Sequence, residues 1–385
     1  MDDAVIVAAV RSPMGRASKG QFIHTRIDDL GAQLIKGLLS RVPTFQPDLL
    51  EDVIIGCAMP EGEQGLNVAR NISFLAGLPL HLGGMTINRF CASSLTAIAE
   101  AAQAIESGNG DAFIVGGVES MTHVPMGGFN PSLNEKLMRQ GAPQAYIAMG
   151  ATAENLARDY HVTREEQDRF ALASHRKAVS AQQQGKFEEE IVPIESKNEK
   201  GEIHIATTDE GPRSDTSLEI LSKLKPSFDK AGTVTAGNSS PLTDGGAMAL
   251  VLSKKLAKKL KLQPLARVRS YAIAGVPPEN MGIGPVLAVP KALKRAKMRL
   301  SDIDLIEINE AFASQTLAVM KELQIDEKKL NIHGGAIALG HPLGASGARM
   351  TATFLSAMKD RYVETGLITM CVGGGQGAAM VLERV

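Results

Sequence analysis

The sequence has few of the residues that would tie it to a nucleic acid, a membrane or a disulfide framework. Its 385 residues include 3 cysteines and no tryptophan, and 41 basic against 42 acidic side chains give a formal net charge of -1. That balance supplies no general electrostatic reason to bind nucleic acid or anionic lipid, and no apolar run approaches the length of a membrane span. Three cysteines cannot all pair, and disulfide frameworks are unusual in chains of this size. We therefore expect no nucleic-acid partner, no integral membrane segment and a reducing compartment.

The bulk composition is that of an ordinary globular protein. Hydrophobic residues make up 44% and charged residues 22% of the chain, and the length allows two or three packed units around a large core. The first residues, "MDDAVIVAAVRSP", place acids before a short apolar run. This is the reverse of a secretory signal and predicts a first strand. With no leader in view, we expect a cytoplasmic protein.

Strand-like and helix-like segments alternate along the chain, and the same series occurs twice. Short apolar runs such as "AVIVAAV" predict strands, and apolar residues at three- and four-residue steps in "SSLTAIAEAAQAIESG" predict a helix. A second series, from "ARVRSYAIAG" to "GLITMCVGG", has a counterpart for each element of the first. The sequence therefore predicts an α/β fold of two similar halves, with helices on both faces of the sheets.

A long insertion interrupts the first half. The strand "GGAMALVLSKK" resembles the C-terminal "GQGAAMVLERV", but it is separated from the rest of its copy by a partly helical, otherwise polar segment. We predict an N-terminal half at 1–120 plus 245–262, an inserted domain at 121–244 and a C-terminal half at 263–385. An insertion of this length in a compact fold usually carries binding or function.

Four chemically capable residues follow strands of this predicted fold. Cys91 and His341 follow the third strands of the two copies. Asn309 ends the second strand of the second copy, and Cys371 ends its fourth. Because active groups in open α/β sheets lie at the carboxyl ends of strands, we expect these four side chains to form one site.

Cys91 precedes a predicted helix, where the helix dipole and free N–H groups would lower its pKa and favour the nucleophilic thiolate. The alternative is a small residue packed at a strand–helix junction. His341, between glycines and before a proline, could accept a thiol proton or donate to an oxyanion, or it could simply be satisfied by backbone in a tight turn. For His333, in "NIHGG", we favour that structural interpretation.

Cys371 precedes three glycines whose N–H groups could face a ligand. Asn309 could hold a water or a substrate oxygen, although helix capping is the commoner role for asparagine. Cys57 lies inside a predicted strand and is expected to fill the core.

The segments "CASS", "NEAF", "GHPLGASGAR" and "CVGGGQG" occur in the order and spacing of the thiolases, and the chain resembles that family from "VIVAAVRSPMGR" to "VLERV". The resemblance implies two similar α/β halves packed as αβαβα layers, with a loop domain inserted in the first. It also implies cleavage of 3-oxoacyl-CoA with CoA, no metal and no cofactor, since CoA is a substrate.

The resemblance also assigns roles to the site residues. Cys91 would be the acylated nucleophile, and Cys371 the general acid and base. His341 would activate Cys91 and, with a water held by Asn309, form one oxyanion hole. The backbone N–H groups of Cys91 and Gly373 would form a second. Residues similar to the family's CoA and acyl contacts are Arg213, Ser240, Met149, Met281, Ala311 and Phe312. Arg213 could instead be a solvated surface charge, and methionines more often fill a core.

One departure bears on the substrate. Short-chain biosynthetic thiolases tend to have histidine where this chain has Ala148, which favours a degradative 3-ketoacyl-CoA thiolase similar to the β-subunit of the bacterial fatty-acid oxidation complex. The resemblance implies a homodimer or homotetramer, with or without a multifunctional β-oxidation α-subunit. The alternatives are a short-chain acetyl-CoA acetyltransferase and, more remotely, a non-catalytic acyl-CoA-binding subunit. A β-ketoacyl synthase would need a second histidine where Cys371 stands, and a dinucleotide dehydrogenase would need a G-x-G-x-x-G after an early strand.

Overall fold

The computed structural model describes residues 2–139 and 143–385. The helices are α1 Ile27–Ser40, α2 Val68–Ala76, α3 Ser93–Ser107, α4 Glu135–Arg139, α5 Met149–Asp159, α6 Arg164–Gln183, α7 Leu218–Ser222, α8 Lys254–Lys259, α9 Gly284–Ala296, α10 Ala313–Leu323, α11 Ala336–Leu339 and α12 Ser346–Arg361. The strands are β1 Ala4–Arg11, β2 Gly15–Arg16, β3 Asp52–Gly56, β4 Met85–Ile87, β5 Ala112–Ser120, β6 Ile194–Lys197, β7 Ile203–Ala206, β8 Thr243–Ser253, β9 Ala266–Gly275, β10 Leu305–Ile308, β11 Thr365–Val372 and β12 Gln376–Glu383.

The strand order confirms the internal repeat. The first half runs β4-β3-β5-β8-β1 and the second runs β9-β12-β11-β10. In the series β1-β8-β5-β3, two antiparallel pairings are followed by a parallel one. The series β9-β12-β11-β10 has the same pattern, so the strands of the two halves correspond in this order. The counterpart of β4 is reduced to a single parallel bridge between Ile306 and Leu330. The two halves also join directly, through a short antiparallel pairing of β1 with β9.

Five layers follow from the way the strands bury both faces. The central layer is formed by α3 and α12, which pack against each other. One cluster of buried apolar residues links these two helices to strands of both halves. The opposite faces of the strands pack on α1 and α2 in the first half and on α9 and α10 in the second. This is the predicted αβαβα arrangement.

Glycine allows the two central helices to approach closely. A Cβ on Gly347 of α12 would lie 2.5 Å from the backbone nitrogen of Leu95 in α3. Helix α3 itself is rich in alanine, which favours helix, and it ends at Gly108 in the left-handed conformation at φ +79°. Both central helices therefore begin side by side, each just after a loop that carries a candidate catalytic residue.

The predicted insertion leaves and re-enters the fold between neighbouring strands. Strands β5 and β8 are paired from Ala112 opposite Leu252 to Ser120 opposite Asp244, and helices α4 to α7 with the β6–β7 hairpin lie between them in the chain. The exact domain limits stay a prediction. No helix among the described residues is both long enough and apolar enough to cross a membrane.

Candidate active site

Cys91 lies in a tight turn that connects β4 to the first residue of α3. The turn is a 3-10 helix over Phe90–Ala92, and Phe90 has a φ of +44°, in the left-handed region that costs a bulky residue free energy. The Ser93 hydroxyl fixes the turn, because it accepts from the Arg89 N–H at 2.8 Å and donates to the Phe90 carbonyl at 2.7 Å. The result is a thiol held at the start of a helix, 9% exposed.

Burial, and not the helix dipole, dominates the acidity of this thiol. Desolvation raises the pKa of Cys91 to about 11, although the backbone N–H groups of Gly373 and of Cys91 itself partly lower it by hydrogen bonding. The expectation of a lowered pKa is therefore wrong for the unliganded protein. The free energy that a thiolate would lose by desolvation at this site exceeds the stabilisation that the N–H groups at the helix start provide. Cys91 rests as a neutral thiol.

Cys371 is the neighbour of Cys91 across the site. It is the penultimate residue of β11, and the Cys91 turn contacts this strand directly. Burial raises the pKa of Cys371 well above its usual range, and the charge of a Cys91 thiolate raises it further. Two residues after Cys371, Gly373 approaches so closely that a Cβ there would lie 3.4 Å from the Phe90 ring and 3.8 Å from the Met149 sulfur.

His341 is oriented from two sides by hydroxyl groups. Its Nδ1 lies 2.5 Å from the Oγ of Ser346, the first residue of α12, and its backbone N–H donates to Thr243 Oγ1 at 3.1 Å. Gly340 precedes it at φ +102°, and a Cβ there would lie 2.7 Å from the Thr243 side chain. Burial, together with the positive charge of Arg349, lowers the pKa of His341 to about 3. The ring is therefore neutral at pH 7 and can accept a proton.

Asn309 faces the other ring nitrogen of this histidine. Its Nδ2 lies 3.4 Å from His341 Nε2, and its buried Oδ1 has no hydrogen-bond partner among the described residues. Helix α10 begins only at Ala313 with Phe312 as its N-cap, so Asn309 is not a helix cap. The side chain of Asn331 braces the strand before it, exchanging two hydrogen bonds of 2.9 Å with the Ile308 backbone.

A buried carboxylate joins the loop of His341 to the first half. Glu119, at the end of β5, accepts from the backbone N–H groups of Ala58 at 2.7 Å and Gly344 at 2.8 Å and from Gln64 Nε2 at 3.0 Å. Cys57 donates weakly to the same carboxylate, at 3.7 Å, and is otherwise core, as predicted. Sequence reasoning missed Glu119, Thr243 and Ser346. Ser346, in "GHPLGASGAR", and Thr243, in the segment "TVTAGNSSPLTDGG" that also holds Ser240, lay inside stretches that could have pointed to them, whereas Glu119 did not.

The residues expected to line the acyl side of the pocket do gather around Cys371. One buried apolar cluster contains Cys371 together with Met149, Ala153, Val234, Met281, Ala311 and Phe312. Ser240 adjoins this cluster, because its N–H donates to the Ala311 carbonyl at 3.0 Å. Arg213 is exposed, and its backbone N–H donates to His175 Nδ1 at 3.2 Å. The structure places it at the protein surface without fixing its guanidinium against a described partner.

The two thiols, the neutral imidazole and the amide form an arrangement suited to acyl transfer through a cysteine, and comparison with known proteins agrees. Residues 4–255 match the family described as Thiolase, N-terminal domain, and residues 262–384 match Thiolase, C-terminal domain. The chain belongs to the thiolase family. It is 50% identical to a 3-ketoacyl-CoA thiolase of Bacillus subtilis and 49% identical to one of Idiomarina loihiensis, with 100% of each chain covered. The solved Bacillus anthracis acetyl-CoA acetyltransferase is 40% identical, with a TM-score of 0.91 over 100% of this chain and 99% of that one.

Proposed function

We propose that this protein is an acyltransferase that cleaves 3-oxoacyl-CoA with CoA, giving acetyl-CoA and an acyl-CoA shortened by two carbons, as in fatty-acid degradation. The observation that carries the proposal is the pairing of two buried thiols, Cys91 and Cys371, next to the loop that carries the neutral His341. The relatives at about 50% identity, named 3-ketoacyl-CoA thiolase, support the same activity. CoA is a substrate in this reaction, and we propose no resident cofactor.

The first half of the reaction consumes the proton of Cys91. His341 accepts that proton as the sulfur attacks the 3-keto carbon, and the bond between C2 and C3 then breaks with its electron pair left on C2. The Cys371 thiol donates a proton to C2, which releases acetyl-CoA and leaves the acyl group on Cys91. Backbone N–H groups of Cys91 and Gly373 stabilise one oxyanion, and His341 with a water on Asn309 stabilises the other, each contributing about 3 kcal/mol.

The second half returns both protons. The Cys371 thiolate accepts the proton of CoA, whose thiolate attacks the acyl carbon, and the departing Cys91 sulfur is reprotonated by His341. Two cysteines are needed because the first is acylated while the carbanion and then CoA exchange a proton with the second. The raised pKa of Cys371 suits this task, since a weakly acidic thiol gives a thiolate basic enough to deprotonate CoA.

CoA binding is proposed for the insertion and the segment next to it. Ser240 lies beside the apolar cluster, where a pantetheine amide could reach it, and the exposed Arg213 could meet the nucleotide end of CoA. Met149, Met281 and Phe312 would contact the acyl side. Arg213→Ala should raise the KM for CoA with little change in kcat, whereas a matched change of the exposed, ion-paired Arg169 in α6 should leave both unchanged.

We further propose a cytoplasmic homodimer, formed at the open edge of β4. This strand ends the sheet, and large apolar side chains are exposed beside it. They are Leu66, Phe74, Leu75, Leu80, Met85 and Phe90. Light scattering should give a mass of about twice the chain mass of 40.8 kDa. In the double variant Leu80→Glu with Phe74→Glu, the measured mass should fall to that of a single chain. A tetramer, or a complex with a multifunctional α-subunit, would build on the same dimer.

A short-chain acetyl-CoA acetyltransferase is the second candidate, and the similarity to the Bacillus anthracis enzyme favours it. CoA-dependent cleavage of acetoacetyl-CoA and of a long-chain 3-oxoacyl-CoA, by the wild type and Cys91→Ser, decides between the two. We expect loss of activity in the variant and preference for the longer substrate. Preference for acetoacetyl-CoA would assign the short-chain activity. Cleavage of neither would leave the remote alternative, a non-catalytic acyl-CoA-binding subunit.

A further inference from the structure

A basic groove lies on the face of α6 that packs against the segment carrying His333 and the end of α12. Its volume is about 560 Å³, and basic side chains of α6, of the segment just after it and of α12 line it. They are Arg176, Lys177, Lys186 and Arg361. The acidic side chain in its lining is Asp360. None of these residues is among the catalytic or CoA-contact residues proposed above.

The charges of this groove are incompletely compensated. Lys186 is paired with Asp360, Nζ to Oδ2 at 2.9 Å. Lys177 donates to the neutral carbonyl of Leu330 at 2.9 Å, and its charge also acts on the buried carboxyl groups of Glu307 and Glu310. The exposed guanidinium groups of Arg176 and Arg361 have no carboxylate within ion-pair distance among the described residues. Two exposed arginines, Arg176 and Arg361, therefore remain around one concavity without a counter-charge from the described residues.

Helix α6 presents a row of donors to this space. Arg176, Ser180 and Gln184 line the groove at four-residue spacing, which places them on one face of a helix. Opposite them, His333 is buried, with Nε2 3.7 Å from Asp360 and Nδ1 without a hydrogen-bond partner in the described part of the chain. The segment that carries His333 packs tightly against α6, because a Cβ on Gly334 would lie 2.7 Å from the Ser174 carbonyl oxygen of that helix.

We propose that this groove binds a small molecule carrying two phosphoryl groups, such as a nucleoside diphosphate or a pyrophosphate ester. Its volume is that of a small-molecule site. The guanidinium of an arginine binds phosphoryl oxygens through two parallel hydrogen bonds, and a lysine adds point charge. The Ser180 hydroxyl, which accepts from Gln184 Nε2 at 2.9 Å, supplies a neutral donor for a remaining oxygen. A single carboxylate would leave most of this positive charge uncompensated.

Titration calorimetry with inorganic pyrophosphate tests the proposal on the full chain. We expect saturable one-site binding by the wild type, at least tenfold weaker in the double variant Arg176→Ala with Arg361→Ala. Arg169→Ala, on the same helix but paired with Glu165, should bind like the wild type. Arg213→Ala should also bind normally, because that residue belongs to the proposed CoA site.

Several outcomes would overturn the proposal. They are no saturable binding by the wild type, unaltered binding by the double variant, and loss of binding in Arg213→Ala, which would place the ion in the CoA site. Tighter binding of citrate than of pyrophosphate would reject phosphoryl groups as the ligand chemistry. Unchanged melting temperatures would establish that the variants fold. The binding result does not depend on thiolase activity, so the two proposals fail separately.

Discussion

The acidity of Cys91 gives a sharp prediction about how the unliganded protein reacts with iodoacetamide. Burial raises the pKa of this thiol to about 11 from a reference of 9.0. At pH 7 about one molecule in 10⁴ then carries the reactive thiolate, against about one in 10² for an unperturbed cysteine. Alkylation of Cys91 should therefore be roughly a hundredfold slower than that of an exposed cysteine at pH 7. It should also accelerate about tenfold per pH unit up to pH 10.

Peptide mapping by mass spectrometry after timed alkylation measures this rate at each residue. The profile should have no step near pH 6.5, because His341, with a pKa of about 3, stays neutral throughout. Cys57 is an internal control, since its thiol is buried against Glu119 and should remain unlabelled. An alkylation rate at Cys91 that is already maximal at pH 7 would indicate a preformed thiolate–imidazolium pair and refute the reasoning.

Three further predictions concern positioning, charge and packing. Ser346→Ala removes the hydroxyl at His341 Nδ1 and should lower kcat roughly tenfold to a hundredfold at similar KM, with Ser346→Thr retaining activity; an unchanged kcat in the alanine variant would exclude this role. Burial raises the pKa of Glu307 to about 8, so the folded protein holds a proton there that the unfolded chain releases above its pKa of 4.5. Between pH 4.5 and about 8, the free energy of unfolding of the wild type should therefore fall by about 1.4 kcal/mol per pH unit relative to that of Glu307→Gln. Urea melts in which the two proteins show the same dependence of unfolding free energy on pH would contradict this prediction. Gly347→Ala should lower the free energy of unfolding by about 1–3 kcal/mol, because the added methyl group crowds Leu95. Lys359→Ala, at the exposed end of α12, should change the free energy of unfolding by less than about 0.5 kcal/mol.

The repeated order of elements was predictable because each strand is a short apolar run and each helix carries a regular apolar face. That periodicity predicted the two halves, the insertion and the placement of Cys91, Cys371 and Asn309 at or just after strand ends, but His341 follows the helix α11. The periodicity could not predict that the second half has only a single bridge, between Ile306 and Leu330, where the first half has strand β4. A single bridge leaves no run of residues with strand periodicity for a sequence pattern to register.

The sequence pointed to candidate site residues, whose roles stay predictions, but not to their electrostatics. Cys91, Cys371 and Asn309 lie at or just after strand ends, whereas His341 follows the short helix α11 and not the predicted strand. The structure places Cys371 beside Cys91 and Asn309 beside His341. The direction of the Cys91 pKa was wrong, because desolvation depends on how much of the surrounding protein covers the sulfur, which local sequence does not reveal. Glu119 was missed for a related reason, since its partners come from separate parts of the chain.

Trapping the acyl-enzyme tests the central claim most directly. The wild type, Cys91→Ser and Cys371→Ser would each be mixed with a long-chain 3-oxoacyl-CoA in the absence of free CoA, quenched in acid and mapped by mass spectrometry. We predict that the wild type carries the shortened acyl group on the peptide containing Cys91 and that Cys91→Ser carries none. An acyl group on Cys371, or no acylated peptide while acetyl-CoA is still released, would contradict the account.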